Sequence, residues 1–448
     1  MIPPGLEATP WVAYVNNLWV LIAGLLVFTM TISVGLLEVG ELGERLSFSL
    51  LKTILMTGAA LLVMAAVGFN TAFAPTWDIN GYGIIGDPFY APGFFLGGFS
   101  ASAADPIADV WWSQGATGLT TGTYFLFETA FAAVTLALVG VIFLRKVKLA
   151  AITAFALVYF VLIWNLPAAW IWNPQGWLAQ IGMVDFAGGL VVHAAAGAAG
   201  LGILYQVWRE ERARGHKTSP QATFRISPGW LTIAILLLWV GWFGFNPGSV
   251  LQFNDEAIVV VLTTFLAAAA GFASVLLTNM LVYRQRPDLL NGVNGVLMGL
   301  IIITPLAGFV SPGSAIVLGL AGGPLFLAGE RFFARWKWYT DPVGLFPGHL
   351  LGGLFGVTMI AFFAQSAFAV PAGAVNLPNG LLFGGSWAAL HQLGIELLGV
   401  AVVCGVVFVL SFLGMAALAK AMHGITTNAT PPDEDERTPA SAEVTGSL

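Results

Sequence analysis

The chain has 448 residues, 58% of them hydrophobic and 9% charged. Soluble domains carry about 25% charged residues, so the composition excludes a soluble protein and marks a polytopic membrane protein. The single cysteine, Cys404, excludes a disulfide framework or a cysteine-built metal site, and a net charge of −6 with no basic stripe gives nucleic-acid binding no support.

Residues 1–17 (MIPPGLEATPWVAYVNN) lack the positive start of a secretory signal, so the first apolar helix is expected to be retained. A spanning helix needs about 20 mostly apolar residues. Eleven windows meet that need: 18–37, 48–70, 119–144, 149–171, 185–206, 229–247, 257–282, 290–308, 313–333, 345–366 and 388–421. The connection 71–118 is rich in Gly, Pro, Trp and Asp and too broken to span, which suits a functional lid and a tolerated insertion equally. Residues 1–422 read as one membrane domain. The tail 423–448 (HGITTNATPPDEDERTPASAEVTGSL) is polar and acidic and is expected to be disordered.

All 17 Lys and Arg fall in alternate connections or the tail. Arg45 and Lys52 are placed between windows one and two. Arg145, Lys146 and Lys148 follow window three, and Arg209, Arg212, Arg214, Lys217 and Arg225 follow window five. Arg284 and Arg286 follow window seven, Arg331, Arg335 and Lys337 window nine, and Lys420 and Arg437 close the chain. Positive connections stay cytoplasmic. The expected arrangement is a multi-pass protein of a cell (inner) membrane, N-terminus outside and C-terminus inside.

Of five histidines, His216, His391 and His423 read as ordinary residues of connections or helix ends. His193 and His349 differ. Asp185 precedes His193 by eight residues, Asp341 precedes His349 by eight, and glycines follow both histidines. One segment runs inward and the other outward, each the fifth of a group of five. That is the signature of an inverted repeat, windows 1–5 and 6–10, with window eleven added. In a continuous helix eight residues rise about 12 Å, which brings both histidines near the midplane of the bilayer. An ionisable residue at that depth marks function by default. Two histidines without a third ligand make a poor metal site, and imidazole suits proton handling better. Gly189, His193 and Gly197 share a helix face, where small residues also permit close packing.

DFAGG with His193 three residues on, GWFGFNPGS (241–249), NGVLMGLIIIT with SPGSAIVLG (294–319), FPGHLLGG (346–353) and WIWNPQGWLAQIG before Asp185 together resemble the ammonium transporter family, the Amt, Mep and Rh proteins, and its Amt branch in particular. The resemblance covers all eleven windows. It implies a homotrimer with a separate pore in each protomer and ammonium or ammonia as substrate, with no cofactor. By position it implies that Trp172, Phe131 and Ser249 form an outer ammonium recruitment site, with Phe127 nearby and Asp185 in support. It implies a phenyl gate of Phe131 and Phe245, with Trp242 near the pathway, and twin pore histidines in His193 and His349.

The chemistry is coherent. Aromatic faces attract a desolvating cation by about 0.5–2 kcal/mol each, and a serine hydroxyl can accept one N–H bond. Neither stabilises a bare cation at the bilayer centre, where the cost is several kcal/mol or more. Deprotonation avoids that cost, leaving neutral ammonia to cross beside the histidines while the proton travels separately or stays behind. A potassium ion has no proton to give up.

The match frays in places. The family's FQxxF is FETAF here, so Glu128 stands for a glutamine, either as a neutral hydrogen-bonding substitute or as an added proton site. AERxxF is replaced by FLRKVKL and FYGGL by EVGEL; in the latter, Glu38, Glu41 and Arg45 would meet on one side of a continuing helix. The motif before the second histidine is DPVGLF, and Leu350 replaces a glycine after it. The tail lacks the GLDxxxHGExAY segment, which puts a PII-type regulator in doubt. An ammonium sensor with little flux and an Rh-like gas channel are the competing functions; Trp172 argues against the second. No nucleophile, cofactor loop or complete metal site suggests an enzyme.

Overall fold

The computed structural model describes residues 10–90, 104–113, 117–143, 146–215, 226–336, 341 and 343–427. His216, the basic residues Arg145, Lys217, Arg225, Lys337 and Arg437, and the tail beyond Thr427 lie outside them. Eleven helices are long and apolar enough to cross a membrane: span 1 (Pro10–Leu42), span 2 (Leu46–Phe73), span 3 (Thr121–Gly140), span 4 (Leu149–Ile171), span 5 (Gly189–Ala213), span 6 (Pro228–Gly248), span 7 (Asp255–Leu281), span 8 (Leu289–Leu306), span 9 (Pro312–Phe333), span 10 (Leu345–Phe363) and span 11 (Trp387–Ala421). Each matches one sequence window. Span 1 begins earlier than expected.

Helix starts follow from sequence. Thr120, Asn254, Asp288 and Ser311 each accept a bond from a free amide of the first turn, and Pro228 and Pro312 sit where no amide bond is lost. Spans 3, 5 and 8 are mostly buried, whereas span 11 keeps most of its apolar surface outward. A bundle in lipid gains little from hiding apolar surface, so close packing of small residues carries the association. Where spans 7 and 8 cross, a Cβ on Gly295 would stand 2.9 Å from the Gly271 carbonyl oxygen.

The packing repeats. Span 1 meets span 3 as span 6 meets span 8; span 2 meets spans 3 and 4 as span 7 meets spans 8 and 9. Spans 5 and 10 pack on each other at the centre.

The connection after span 2 contains a hairpin, β1 (Thr76–Ile79) and β2 (Tyr82–Gly86). Its turn residues Asn80 and Gly81 both have positive φ, 55° and 84°. Asn-Gly accepts that geometry at least cost. The hairpin is tied to the end of span 4, with the Gln175 side chain accepting from the Thr76 amide and Trp170 donating to the Ile84 carbonyl. The end bearing this hairpin is called the hairpin end below, and the other the basic end.

Three expectations are corrected. Lys52 lies inside span 2, 1% exposed, and pairs with Glu38 at 2.5 Å. Ser49 also donates to Glu38, and Lys52 donates to the Gly140 carbonyl. Span 1 stops at Leu42, with Gly43 at φ 63°, so Arg45 does not share a helix with Glu38 and Glu41. The Asp-to-His segments are not continuous helices, because Gly188 (φ 109°) and Gly344 (φ 67°) break each one just before the helix starts. The offset computed for eight helical residues therefore does not apply. Past span 11, Ile425 and Thr426 are buried, and Glu210 accepts from both of their amides.

Candidate functional site

Each central histidine is placed by the same local device. Asp185 accepts from four consecutive amides, Gly188, Gly189, Leu190 and Val191, at 2.8–3.0 Å. Asp341 accepts from Val343, Leu345 and Phe346. A left-handed glycine follows each aspartate, then a six-residue π-turn, Gly189–Ala194 or Leu345–Leu350. His193 and His349 are each the fifth residue of that turn. The wider helical turn shifts the face that Gly189, His193 and Gly197 were expected to share. Their close packing stands: a Cβ on Gly189 would meet Pro305, and one on Gly197 would meet Leu350.

The histidines face each other. Their Nδ1 atoms are 3.1 Å apart and their ring centroids 5.2 Å apart. They are 1% and 6% exposed. His193 stacks on Phe245 at 5.6 Å and on Trp242 at 5.5 Å, and its Nε2 has no protein partner. Trp242 is fixed by a bond from its Nε1 to the Thr304 hydroxyl. Both rings line a narrow cavity of about 10 Å³, otherwise walled by apolar residues such as Val34, Val134, Leu138 and Leu238. That is room for one water-sized molecule.

Toward the hairpin end lies an aromatic group. Phe131 meets Phe245 at 4.3 Å with planes tilted by 42°, Phe127 at 4.8 Å, and Trp172 edge-on at 5.8 Å. Phe127, Phe131 and Phe245 are buried, while Trp172 stays half-exposed. Ser249, one turn beyond Phe245, donates its hydroxyl proton to the Phe245 carbonyl. Its oxygen lone pairs are left as acceptors. Phe127 lies against Gly248, where a Cβ would come within 2.8 Å of its ring.

Asp185 joins the two parts. Its carboxylate is saturated by the four amides, while its carbonyl accepts the Trp172 indole N–H at 2.8 Å. It therefore holds Trp172 and the start of span 5 together, and its carboxylate has no free lone pair for a ligand. Burial pushes its carboxyl above the ordinary range, and the four amides oppose that shift.

The structure thus brings together Trp172, Phe131, Phe127, Phe245, Trp242, His193 and His349, with Ser249 and Asp185 at the hairpin end. Trp242 meets both groups, 5.5 Å from His193 and 5.6 Å from Phe245. Sequence reasoning missed Glu396 and Gln392 of span 11. Glu396 is fully buried and accepts from Val184 and Gln392, and Gln392 donates to the Gly182 carbonyl, which clamps the loop leading into Asp185. The signal was present: a Glu and a Gln four apart inside an apolar span. Among the described residues no group of three His, Cys, Asp or Glu could hold a metal ion.

Residues 18–436 match the Ammonium Transporter Family. The chain belongs to that family. It is 30% identical to a putative ammonium transporter of Methanothermobacter thermautotrophicus, over 90% of this chain and 92% of that one. It is 29% identical to an ammonium transporter of Bacillus subtilis, over 79% and 81%. Among solved structures it is similar to a "Sensor Amt Protein", with a TM-score of 0.77, 26% identity and 93% and 96% of the two chains covered. Saccharomyces cerevisiae Mep2 shares the fold, with a TM-score of 0.77 at 23% identity over 94% and 90%. Membership of the ammonium transporter family sets enzymatic readings aside.

Proposed function

We propose that the chain passes ammonia, drawn from ammonium, across a cell membrane. The observation that carries this reading is the buried His193–His349 contact in a cavity of single-molecule size, directly behind the Phe131–Phe245 pair. Trp172, Phe131 and the Ser249 oxygen recruit ammonium at the hairpin end, which faces outward; Phe127 braces them. Phe131 and Phe245 separate the site from the interior. Passage needs those two rings to part, and it needs the ion to become neutral, since the cavity beyond offers apolar walls and two imidazoles. The imidazoles hydrogen-bond the neutral molecule and supply a route for its proton. The alternation of basic connections supports an external N-terminus and an internal C-terminus. Family resemblance supports a homotrimer.

Ammonium jumps across a supported membrane carrying the reconstituted protein test this. A transient current in wild type that His193→Ala abolishes is the expected result. A wild type with neither current nor a stopped-flow pH change in the same vesicles overturns it. That outcome would favour the second reading, an ammonium sensor, which the likeness to a solved sensor Amt protein supports.

A further inference from the structure

Glu128 is the one carboxyl of span 3, one helical turn before Phe131. It is 5% exposed. Tyr124 stands one turn before it, its Oε2 has no partner, and no Lys, Arg or His pairs with it among the described residues. A buried carboxylate left this way is costly, so the group either keeps a proton or meets a cation.

Its surroundings favour a cation. Tyr124, Glu128 and Phe131 are spaced i, i+4, i+7 and share a helix face. Tyr124 packs on Phe73 at 5.2 Å, Phe73 on Trp164 at 6.3 Å, Trp164 on Trp172 at 6.3 Å, and Trp172 on Phe131 at 5.8 Å. Five rings thus run from the turn before Glu128 on span 3 to the turn after it. Trp164 is fully buried and its indole N–H is unpartnered as well. Three residues before Phe131, Glu128 is about 4.5 Å nearer the hairpin end along span 3.

We propose that Glu128 is the counter-charge of the aromatic ammonium site, neutral when the site is empty and ionised when an ammonium-class cation rests against Trp172 and Phe131. The carboxyl O–H bond breaks, its proton leaves to the outer water, and the cation takes its place, so net charge in the site is unchanged. This rests on the reading of Trp172 and Phe131 as an ammonium site. The other charged or titratable groups on helices packed against span 3 are Tyr14, Glu38 and Glu41 of span 1, Lys52 of span 2, Asp105 of the short helix Ala104–Ile107, and His193, Tyr205 and the Arg209–Arg212 cluster of span 5. Glu38 and Lys52 neutralise each other, and Glu41 and the span 5 cluster lie at the basic end.

The test titrates the thermal stability of the full chain in detergent with ammonium chloride, against matched sodium chloride, at pH 6 and pH 8. In wild type the half-saturating ammonium concentration falls as pH rises, because proton and cation compete. Glu128→Gln raises it by on the order of tenfold and removes the pH dependence; Glu128→Asp keeps that dependence. A Glu128→Gln protein with wild-type affinity and wild-type pH dependence overturns the proposal. If Glu128→Gln does not fold, Tyr124→Phe carries the test: losing the hydroxyl one turn from the carboxyl shifts the pH dependence, and an unmoved profile overturns the idea. A wild type that ignores ammonium at both pH values fails the aromatic site itself, which is distinct from failure of Glu128.

Discussion

At the scale of single residues, the informative groups are those whose polar capacity is fully accounted for. Asp185 uses both oxygens on four amides, so Asp185→Asn turns two acceptor sites into donors that face N–H groups. Each unsatisfied donor costs about 1–3 kcal/mol. The expected outcome is a lower unfolding temperature in detergent together with lost ammonium response, because Trp172 hangs on the same residue. Lys52→Met leaves the Glu38 charge buried without its cation, a loss of about 3–5 kcal/mol, and Glu38→Leu in the same chain recovers most of it. Thermal unfolding of the two variants checks this; a double variant no better than the single one refutes it. The pair escaped sequence reading because its charges sit 14 positions apart on different helices, and linear spacing carries no sign of that contact.

At the scale of elements, the spacing of Asp185 to His193 and of Asp341 to His349 was legible, and so was the pairing of spans 5 and 10. The π-turns were not, because widening a helix turn leaves no mark in side-chain type. Their positions follow from capping carboxylates and left-handed glycines, which the DFAGG and DPVGL segments do display. Gly353 shows how little slack this crossing has: a Cβ there would lie 3.0 Å from the Ala194 amide nitrogen, beside His193. Gly353→Val is expected to separate the two turns and abolish flux while the protein still reaches the membrane. Expression and uptake, measured side by side, check it. Uptake near wild type would mean that the crossing adapts.

At the scale of the whole molecule, eleven spans and the repeat could be read from hydropathy and charge, since lipid allows few alternatives to the helix. The hairpin on the connection after span 2 was missed although Asn80-Gly81 announces it, because the segment's Gly and Pro content read as irregular chain. The proposed orientation puts that hairpin outside and Gly215, after span 5, inside. In a Cys404→Ser background, a cysteine replacing exposed Asn80 should react with an impermeant maleimide on intact cells, and one replacing Gly215 only after lysis. The reverse pattern inverts the topology.

The 3.1 Å approach of the two Nδ1 atoms has a further consequence. Only one hydrogen fits between them, so one ring donates and the other accepts. With both rings neutral, the donor ring has a bare Nε2 and the acceptor ring carries its hydrogen on Nε2. The backbone repeats about a two-fold axis, but a lone hydrogen cannot obey that axis. The pair is therefore polarised in one of two senses, and reversing it requires both rings to change tautomer together. Nitrogen-15 spectra of the labelled histidines should show one protonated and one bare Nδ1 in every molecule, never two of a kind.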